Sequence, residues 1–317
     1  MSHRAWGLVL VFFTTATAAC SFDLAEVDTG AAPGQDAGAP PDATTDDGGG
    51  TTGNDGGSET DATAEAAGDA GQADAPTDVD LRDAAPPDAG VDAGPPRVTS
   101  GLLALYTFKE GAGAIIHDKS AALPALDLTV GLPANTTWAA TGLRIDAATV
   151  ILSSVPANKV SGGIALSNQL TLEAWITPGS LTTLATSGRI IDCGPNSAPG
   201  QTNFDLAQVG SNYGGSLKLG AGTTPITPAI PVTLLRTHFV LMRDAAGAWT
   251  AFINGASTAT GTLPGTFANS WDTTTALLAL GNSAGSARPF IGTLHLVAVY
   301  GRALTAAEVQ QNYNVGP

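Results

Sequence analysis

Residues 290–313 read FIGTLHLVAVYGRALTAAEVQQNY. The apolar, β-branched run from Phe290 to Tyr300 predicts a strand. A helix is predicted from Leu304 to Tyr313, because Thr305 can act as its N-cap and Glu308, three residues later, completes a capping box. The stretch therefore predicts a strand, a turn and a short helix in close succession.

Seven further strands are predicted upstream, and all of them are short, apolar and bounded by Gly, Pro, Asn or Ser. They are Leu102–Phe108, Leu143–Leu152, Leu170–Thr177, Phe204–Val209, His238–Arg243, Trp249–Ile253 and Leu277–Leu280. Asn254-Gly255 supplies the positive φ angles of a tight hairpin turn. The pattern predicts an all-β sandwich, with the segment from Leu304 as its only helix.

Four segments resemble laminin-G-like, concanavalin A-type jelly-roll domains, and they occur in the order of that family. They are LLALYTFKEGAGAIIHDKS, LTLEAWITP, HFVLMRDAAGAWTAFINGA and the stretch from residue 290 quoted above. They resemble the first strand and loop, the tryptophan strand, the central hairpin, and the closing strand with its helix. The resemblance implies a concanavalin A-like jelly-roll β-sandwich over residues 98–317.

Some members of that family bind Ca²⁺ through acidic loop residues, and this chain keeps only part of the pattern. His295 stands where the closing strand commonly carries an acid, and Asn254 stands where Asp is usual. Asp118 in the first loop still matches, so Asp118 is the candidate metal ligand and Ca²⁺ the candidate ion. The alternative is that Asp118 bonds the backbone of its own turn. No cofactor is otherwise expected.

The first nineteen residues have the order of a signal peptide: a polar start, a short apolar run and a stretch of small residues. Thr17-Ala18-Ala19-Cys20 resembles the lipobox of bacterial lipoproteins, although Leu is usual at the position of Thr17. We therefore expect export, lipidation of Cys20 and a place in the cell envelope, at the outer membrane. Plain secretion is the alternative. Cys193, the other cysteine, is expected to be a buried apolar residue rather than a reactive thiol.

Residues 20–97 consist almost entirely of Ala, Asp, Gly, Pro and Thr, and after Cys20 they contain 18 acidic side chains against Arg82 and Arg97. Such a composition predicts a disordered tether, because it lacks the apolar side chains that would offset the entropy of ordering. Residues 98–317 contain ten acidic and ten basic residues. A neutral domain lacks the basic patch of a nucleic-acid-binding protein, so nucleic acid is not expected as a partner.

Catalysis is not expected. Glycosidases of this fold class need a pair of carboxylates, and the signature Glu-x-Asp-x-x-Glu is absent from the sequence. Gly281-Asn282-Ser283-Ala284-Gly285 matches the nucleophile elbow of serine hydrolases, but Pro289 and a strand follow it where that motif needs a helix. A degenerate hydrolase and a purely structural envelope protein remain the alternatives to a binding module.

Binding of a glycan or of another surface protein is the predicted function. Aromatic rings stack on sugars and amides bond sugar hydroxyls, and several such residues lie in stretches predicted to be loops. The candidate ligand-binding residues are Trp138, Asn212, Tyr213, Asn269 and Trp271. The alternative is that each aromatic ring plugs an end of the sandwich.

Overall fold

A computed structural model of the chain describes residues 95–183, 185–195, 201–285 and 288–317. The predicted signal peptide, Cys20 and nearly all of the predicted tether lie outside these residues. The described part consists of two antiparallel sheets of eight strands each and two helices. The predicted all-β sandwich is confirmed.

The strands, in chain order, are β1 (Leu102–Tyr106), β2 (Ile115–Ile116), β3 (Leu128–Val130), β4 (Thr136–Ala139), β5 (Gly142–Ile145), β6 (Ile151–Ser153), β7 (Leu170–Pro178), β8 (Gly188–Pro195), β9 (Phe204–Val209), β10 (Asn212–Leu219), β11 (Gly222–Pro231), β12 (Thr237–Arg243), β13 (Ala248–Ile253), β14 (Ala256–Thr262), β15 (Ala276–Leu280) and β16 (Gly292–Tyr300). The helices are α1 (Asn158–Ser167) and α2 (Ala306–Val315). The first sheet has the order β14-β13-β12-β7-β16-β5-β4, with β1 also paired to β16, and the second has the order β11-β10-β9-β8-β15-β6-β3-β2.

Strand β16 lies in the middle of the first sheet. One of its edges pairs with β7, while the other pairs first with β5 and then with β1. Its inward side chains, Val297 and Val299 among them, belong to the core between the sheets. Its outward side chains, Leu296 and Tyr300 among them, pack under α2. Because both faces are covered, the strand is apolar almost throughout.

Helix α2 covers the outer face of the first sheet, and it begins as predicted. Thr305 is its N-cap, and the side chains of Thr305 and Glu308 form the capping box. Trp175 on β7 lies beneath the helix, with its ring stacked on Tyr313 at 5.5 Å between centroids. The outward residues of β7 are therefore buried.

Glu173, also on β7, is the centre of a polar network buried under α2. Its carboxylate accepts hydrogen bonds from Arg97 at 2.5 Å, from His238 Nε2 at 2.9 Å and from Asn312 Nδ2 at 2.9 Å. Arg97 also donates to the carbonyl of Gly316 at 2.6 Å. Arg97 was predicted to be the last residue of the tether, yet its side chain is inserted into the module. The chain therefore enters the module at the outer face of the first sheet.

Several elements differ from the sequence prediction. Helix α1 was missed because its segment, NKVSGGIALS, contains two glycines, which are poor helix formers. Strand β11 was missed because it contains Pro225, Pro228 and Pro231, which an edge strand tolerates because one of its sides needs no partner. The predicted strand Leu143–Leu152 was wrong, since it consists of β5 in one sheet and β6 in the other.

Cys193 is fully buried in the core between the sheets, as expected. Burial raises the pKa of its thiol well above the usual value, so the side chain stays protonated and packs as an apolar group. Among the described residues, neither helix is long and apolar enough to cross a membrane.

Candidate binding cleft

A cleft of about 280 Å³ lies on the outer face of the second sheet. Three residues place it there. Asp192 on β8 faces Asp205 on β9, which in turn faces Ser216 on β10. Residues directly opposite in antiparallel strands point to the same face, and the neighbours Cys193, Phe204 and Leu217 belong to the core. The row of polar residues therefore points outward.

The lining of the cleft is polar. Most of the lining side chains carry a hydroxyl or a charge, and they include Ser187, Arg189, Asp205, Ser216, Thr227 and Arg288. Val209 and Pro225 supply the apolar part. The described lining includes no aromatic ring. An aromatic stacking platform, which the sequence had suggested for a sugar, is therefore not part of this cleft.

A buried charged network forms the floor of the cleft. Arg189 Nη1 donates to Asp192 Oδ1 at 2.9 Å and also contacts Asp205, whose carboxylate accepts a bond from the Ser216 hydroxyl. The exposed fraction of the Arg189 side chain is 7%, and that of each carboxyl is 4%. The two carboxyls share one cation, so the three side chains carry a surplus of negative charge when both acids are ionised.

Burial raises the pKa of Asp192 to about 7; the nearby charge of Arg189 opposes this shift, while that of Asp205 adds to it. Burial also raises the pKa of Asp205, against the lowering effect of Arg189. Two carboxyls this close to each other do not ionise independently. Near neutral pH the pair therefore holds part of a proton, and the floor can both donate and accept hydrogen bonds.

Asp192, Asp205 and Arg189 were not predicted from the sequence to form a site. The missed signal is an acidic residue between apolar neighbours in each strand, Asp192 after Ile191 and Asp205 after Phe204, because such a residue points away from the core. Their meeting depends on the register between β8 and β9, which the sequence does not show.

The residues predicted from the sequence to bind a ligand do not form one site. Tyr213 was expected in a loop, but it lies in β10, is 1% exposed and packs against Phe239. Trp271 is 7% exposed, packs on Phe204 and Phe267, and donates its Nε1–H to the Lys218 carbonyl at 2.8 Å. Both rings therefore have the alternative role of filling the core.

The remaining three residues of that set are more accessible. Trp138 lies half-buried on β4, at the edge of the first sheet, with its Nε1–H bonded to the Gly113 carbonyl at 3.0 Å. Asn212 begins β10, and Asn269 is an exposed loop residue with φ of +59°. None of the five is among the described residues that line the cleft. Their part in ligand binding stays a prediction.

Asp118, the candidate metal ligand, is surrounded by protein donors. Its side chain is fully buried, and it accepts hydrogen bonds from the backbone N–H groups of Leu105, Ser120 and Leu126. Lys159 Nζ lies 2.5 Å from Asp118 Oδ2 and 2.7 Å from the Ala122 carbonyl oxygen. The ammonium group therefore occupies the position among these oxygens where a bound cation would lie.

Within the described residues, no group of three or more His, Cys, Asp or Glu side chains could hold a metal ion. His295 lies between the Thr177 hydroxyl at 2.8 Å and the Thr141 carbonyl at 2.6 Å. His117 bonds Asp127 at 3.0 Å near the surface. The structure therefore gives no support to the expected Ca²⁺ at Asp118, where the Lys159 ammonium group already lies.

The segment that resembles a nucleophile elbow, from Gly281 to Gly285, follows strand β15. In the described part of the chain, the next regular element after it is β16, a strand. The motif needs its serine at the start of a helix. Residues 281–285 therefore belong to the connection between two strands and lack the helix that a nucleophile elbow needs.

Residues 153–310 match the family model of the Concanavalin A-like lectin/glucanases superfamily. The matched region is a concanavalin A-like domain. Strands β7 to β16 lie within it, and so does the cleft. No curated protein sequence matches the chain.

Solved structures share the concanavalin A-like fold at low sequence identity. Trypanosoma rangeli sialidase in complex with sialic acid aligns with a TM-score of 0.51 and 16% identity, covering 69% of this chain and 34% of the sialidase chain. The botulinum neurotoxin serotype D/C VPI 5993 binding domain aligns with a TM-score of 0.50 and 11% identity, covering 68% of this chain and 52% of the other. This chain thus spans about a third of the sialidase and about half of the toxin domain. The likeness concerns the fold.

Proposed function

We propose that this concanavalin A-like domain is a non-enzymatic binding module for carbohydrate, held at the cell surface by a lipid anchor and a tether. The observation that carries the proposal is the polar cleft over the Arg189–Asp192–Asp205 network. Sugar hydroxyls both donate and accept hydrogen bonds. Arginine donates, carboxylates accept, and serine and threonine hydroxyls do both, so the lining matches a glycan.

The size of the cleft supports a small ligand segment. Its volume of about 280 Å³ lies just below the usual range for ligand pockets, about 300–1,000 Å³. It therefore suits one end or a short segment of a glycan chain. A protein partner would need a larger contact surface, about 800 Å² on each side.

The position of the cleft suits display. The chain enters the module through Arg97 at the outer face of the first sheet, under α2. The cleft opens at the outer face of the second sheet. The two lie on opposite sides of the sandwich, so the point where the chain enters the module is remote from the cleft.

The glycan proposal is tested by blocking the cleft. Thr227 is an exposed residue of the edge strand β11 and lines the cleft, and Thr262 is an exposed threonine on β14, the edge strand of the other sheet. We expect the full chain to bind members of a glycan array, and Thr227→Trp to lose that binding while Thr262→Trp keeps it. The proposal would be refuted if no glycan bound, or if both variants bound as well as the wild type. If the wild type and Thr227→Trp bound a protein ligand equally well, that result would also contradict the role of the cleft.

Hydrolysis is a second candidate, because the structure brings two carboxyls together. Asp192 and Asp205 both contact Arg189 Nη1, so their nearest oxygens lie within two hydrogen-bond lengths, about 6 Å. Retaining glycosidases hold their carboxyls about 5–5.5 Å apart. However, both groups are almost fully buried, and Asp205 is already bonded to Arg189 and Ser216.

The two candidates are separated by measuring turnover on the glycans that bind. A binding module leaves a bound polysaccharide intact, so no new reducing ends appear. Release of reducing sugar by the wild type, abolished in Asp205→Asn, would instead establish hydrolysis.

Surface anchoring is tested at the two cysteines. Cys20 is the proposed lipidation site, and Cys193 is buried in the core. After export in a Gram-negative host, we expect Cys20→Ser to leave the membrane fraction and Cys193→Ala to stay in it. Membrane association of both variants would contradict the anchor.

A further inference from the structure

We propose that the cleft recognises the anionic group of an acidic glycan, a carboxylate or a sulfate, through Arg288 and Arg189. This inference rests on the proposed glycan-binding function and specifies its ligand class. It follows from how the two arginines are placed, partnered and buried.

The two arginines are held side by side by the backbone. Arg189 N donates to the Arg288 carbonyl at 3.0 Å, and Arg189 forms an isolated parallel bridge with Pro289. Both side chains line the cleft. Guanidinium groups offer planar pairs of N–H donors, and this geometry fits carboxylate and sulfate oxygens.

Arg189 has a hydrogen-bond donor that no described residue satisfies. Its side chain is 7% exposed, and its Nη1 serves Asp192 and Asp205. Its Nε is buried and has no partner among the described residues. A buried donor without a partner costs about 1–3 kcal/mol. A ligand oxygen, directly or through a water molecule, would supply the missing acceptor.

No described carboxylate forms an ion pair with Arg288, although its charge lowers the pKa of Asp205 from a distance, against the larger raising effect of burial. Within the described part of the chain, its guanidinium makes one hydrogen bond, from Nη1 to the Ser187 hydroxyl at 3.3 Å. The side chain is half-buried at the cleft wall. Most of its donors are therefore available to a ligand that enters the cleft.

The local charge favours an anion. Burial raises the pKa of Asp192 to about 7 and raises that of Asp205 as well. Near neutral pH the carboxyl pair therefore carries less than two negative charges, while the two arginines carry two positive ones. The rest of the module offers no general attraction for polyanions, because residues 98–317 contain equal numbers of acidic and basic side chains.

The test compares three polymers and two charge-matched variants of the full chain. Polygalacturonate carries carboxylates, dextran sulfate carries sulfates, and dextran is neutral. Arg288→Gln removes a cation from the cleft, and Lys119→Gln removes an exposed cation from the loop between β2 and β3. Affinities are measured by titration calorimetry at 0.15 M salt, where screening over about 8 Å limits repulsion from the acidic tether. Unfolding midpoints show that each variant is folded.

We expect the wild type to bind at least one acidic polymer more tightly than dextran. Arg288→Gln removes a charge-assisted hydrogen-bond donor, so we expect it to weaken this binding about tenfold or more. Lys119→Gln should leave the affinity unchanged. The acidic polymer that responds identifies the anion. If Arg288→Gln and Lys119→Gln lost affinity equally, binding would depend on the overall charge and not on Arg288, and the inference would be overturned. Preference for dextran, unaffected by Arg288→Gln, would overturn the inference but leave glycan binding intact. Absence of binding to all three polymers and to the glycan array would overturn both proposals.

Discussion

Replacing Lys159 with methionine should destabilise the module strongly. Lys159 Nζ lies 2.5 Å from Asp118 Oδ2, and the side chains are 8% and 0% exposed. Methionine preserves most of the chain length but removes the charge, so the buried Asp118 carboxylate loses its counter-charge. Breaking a buried ion pair by removing one partner costs about 3–5 kcal/mol. Asp118 keeps three backbone N–H donors, so we expect a loss near the lower limit, about 3 kcal/mol.

The free energy of unfolding is measured for the full chain in urea, with tryptophan fluorescence as the signal. The double variant Lys159→Met, Asp118→Asn removes both charges and should recover part of the loss, because no uncompensated charge remains. Arg144→Met is the matched control, since Arg144 pairs with Asp146 at the surface with 56% and 38% of the side chains exposed; its effect should be much smaller. A loss in Lys159→Met no larger than in Arg144→Met would refute the reasoning.

The same pair predicts the response to calcium. Because the Lys159 ammonium already lies beside Asp118 and Ala122, the wild-type unfolding midpoint should be equal in millimolar Ca²⁺ and in chelator. A ligand that binds only the folded state raises the midpoint. A clear rise with Ca²⁺ in the wild type would show a calcium site and contradict the role assigned to Lys159.

Three further predictions concern single buried side chains. Burial raises the pKa of Glu173, but His238 and Arg97 outweigh it and hold the pKa below its usual value. The ionised carboxylate therefore stabilises the fold above about pH 4.5, and this stabilisation is lost as the pH falls through the lowered pKa. The free energy of unfolding should decline less from pH 7 to pH 3 in Glu173→Gln than in the wild type, and an unchanged slope would contradict this. The pKa of Asp192 is raised to about 7, chiefly by burial. The free energy of unfolding should therefore be highest below about pH 4 and should decline as the pH rises toward 7. Asp192→Asn should remove that decline, and a wild-type slope in the variant would disprove the raised pKa of Asp192. Trp271→Ala should cost about 3–5 kcal/mol in urea unfolding because the ring is a core side chain, and a loss below about 1 kcal/mol would restore Trp271 as a surface ligand-binding residue.

Local patterns predicted much of the fold. Strand β9 was predicted with its observed bounds, and the α2 capping box and the turn at Asn254-Gly255 were correct. These features depend on residues close together in the chain: alternation within a strand, a cap three residues from its partner, and a dipeptide that adopts positive φ. They could be found without knowing the tertiary contacts.

The errors occurred where tertiary contacts override local preference. Helix α1 forms despite its two glycines because Val160 and Ile164 are buried in the core. Strand β11 forms despite three prolines because it pairs on one side with β10. Tyr213 was assigned to a loop-like stretch beside Asn212, yet it lies in β10 and packs in the core.

The sequence by itself determined the class of the module, its resemblance to concanavalin A-like domains and the concentration of acidic residues before residue 98. Only the tertiary structure decided where polar groups meet. Asp192 and Asp205 are 13 residues apart in the chain, and Lys159 and Asp118 are 41 residues apart. Strand register and loop packing bring each pair together. Electrostatic interactions depend on distance and burial, so the cleft and the internal ammonium group could be found only in the folded chain.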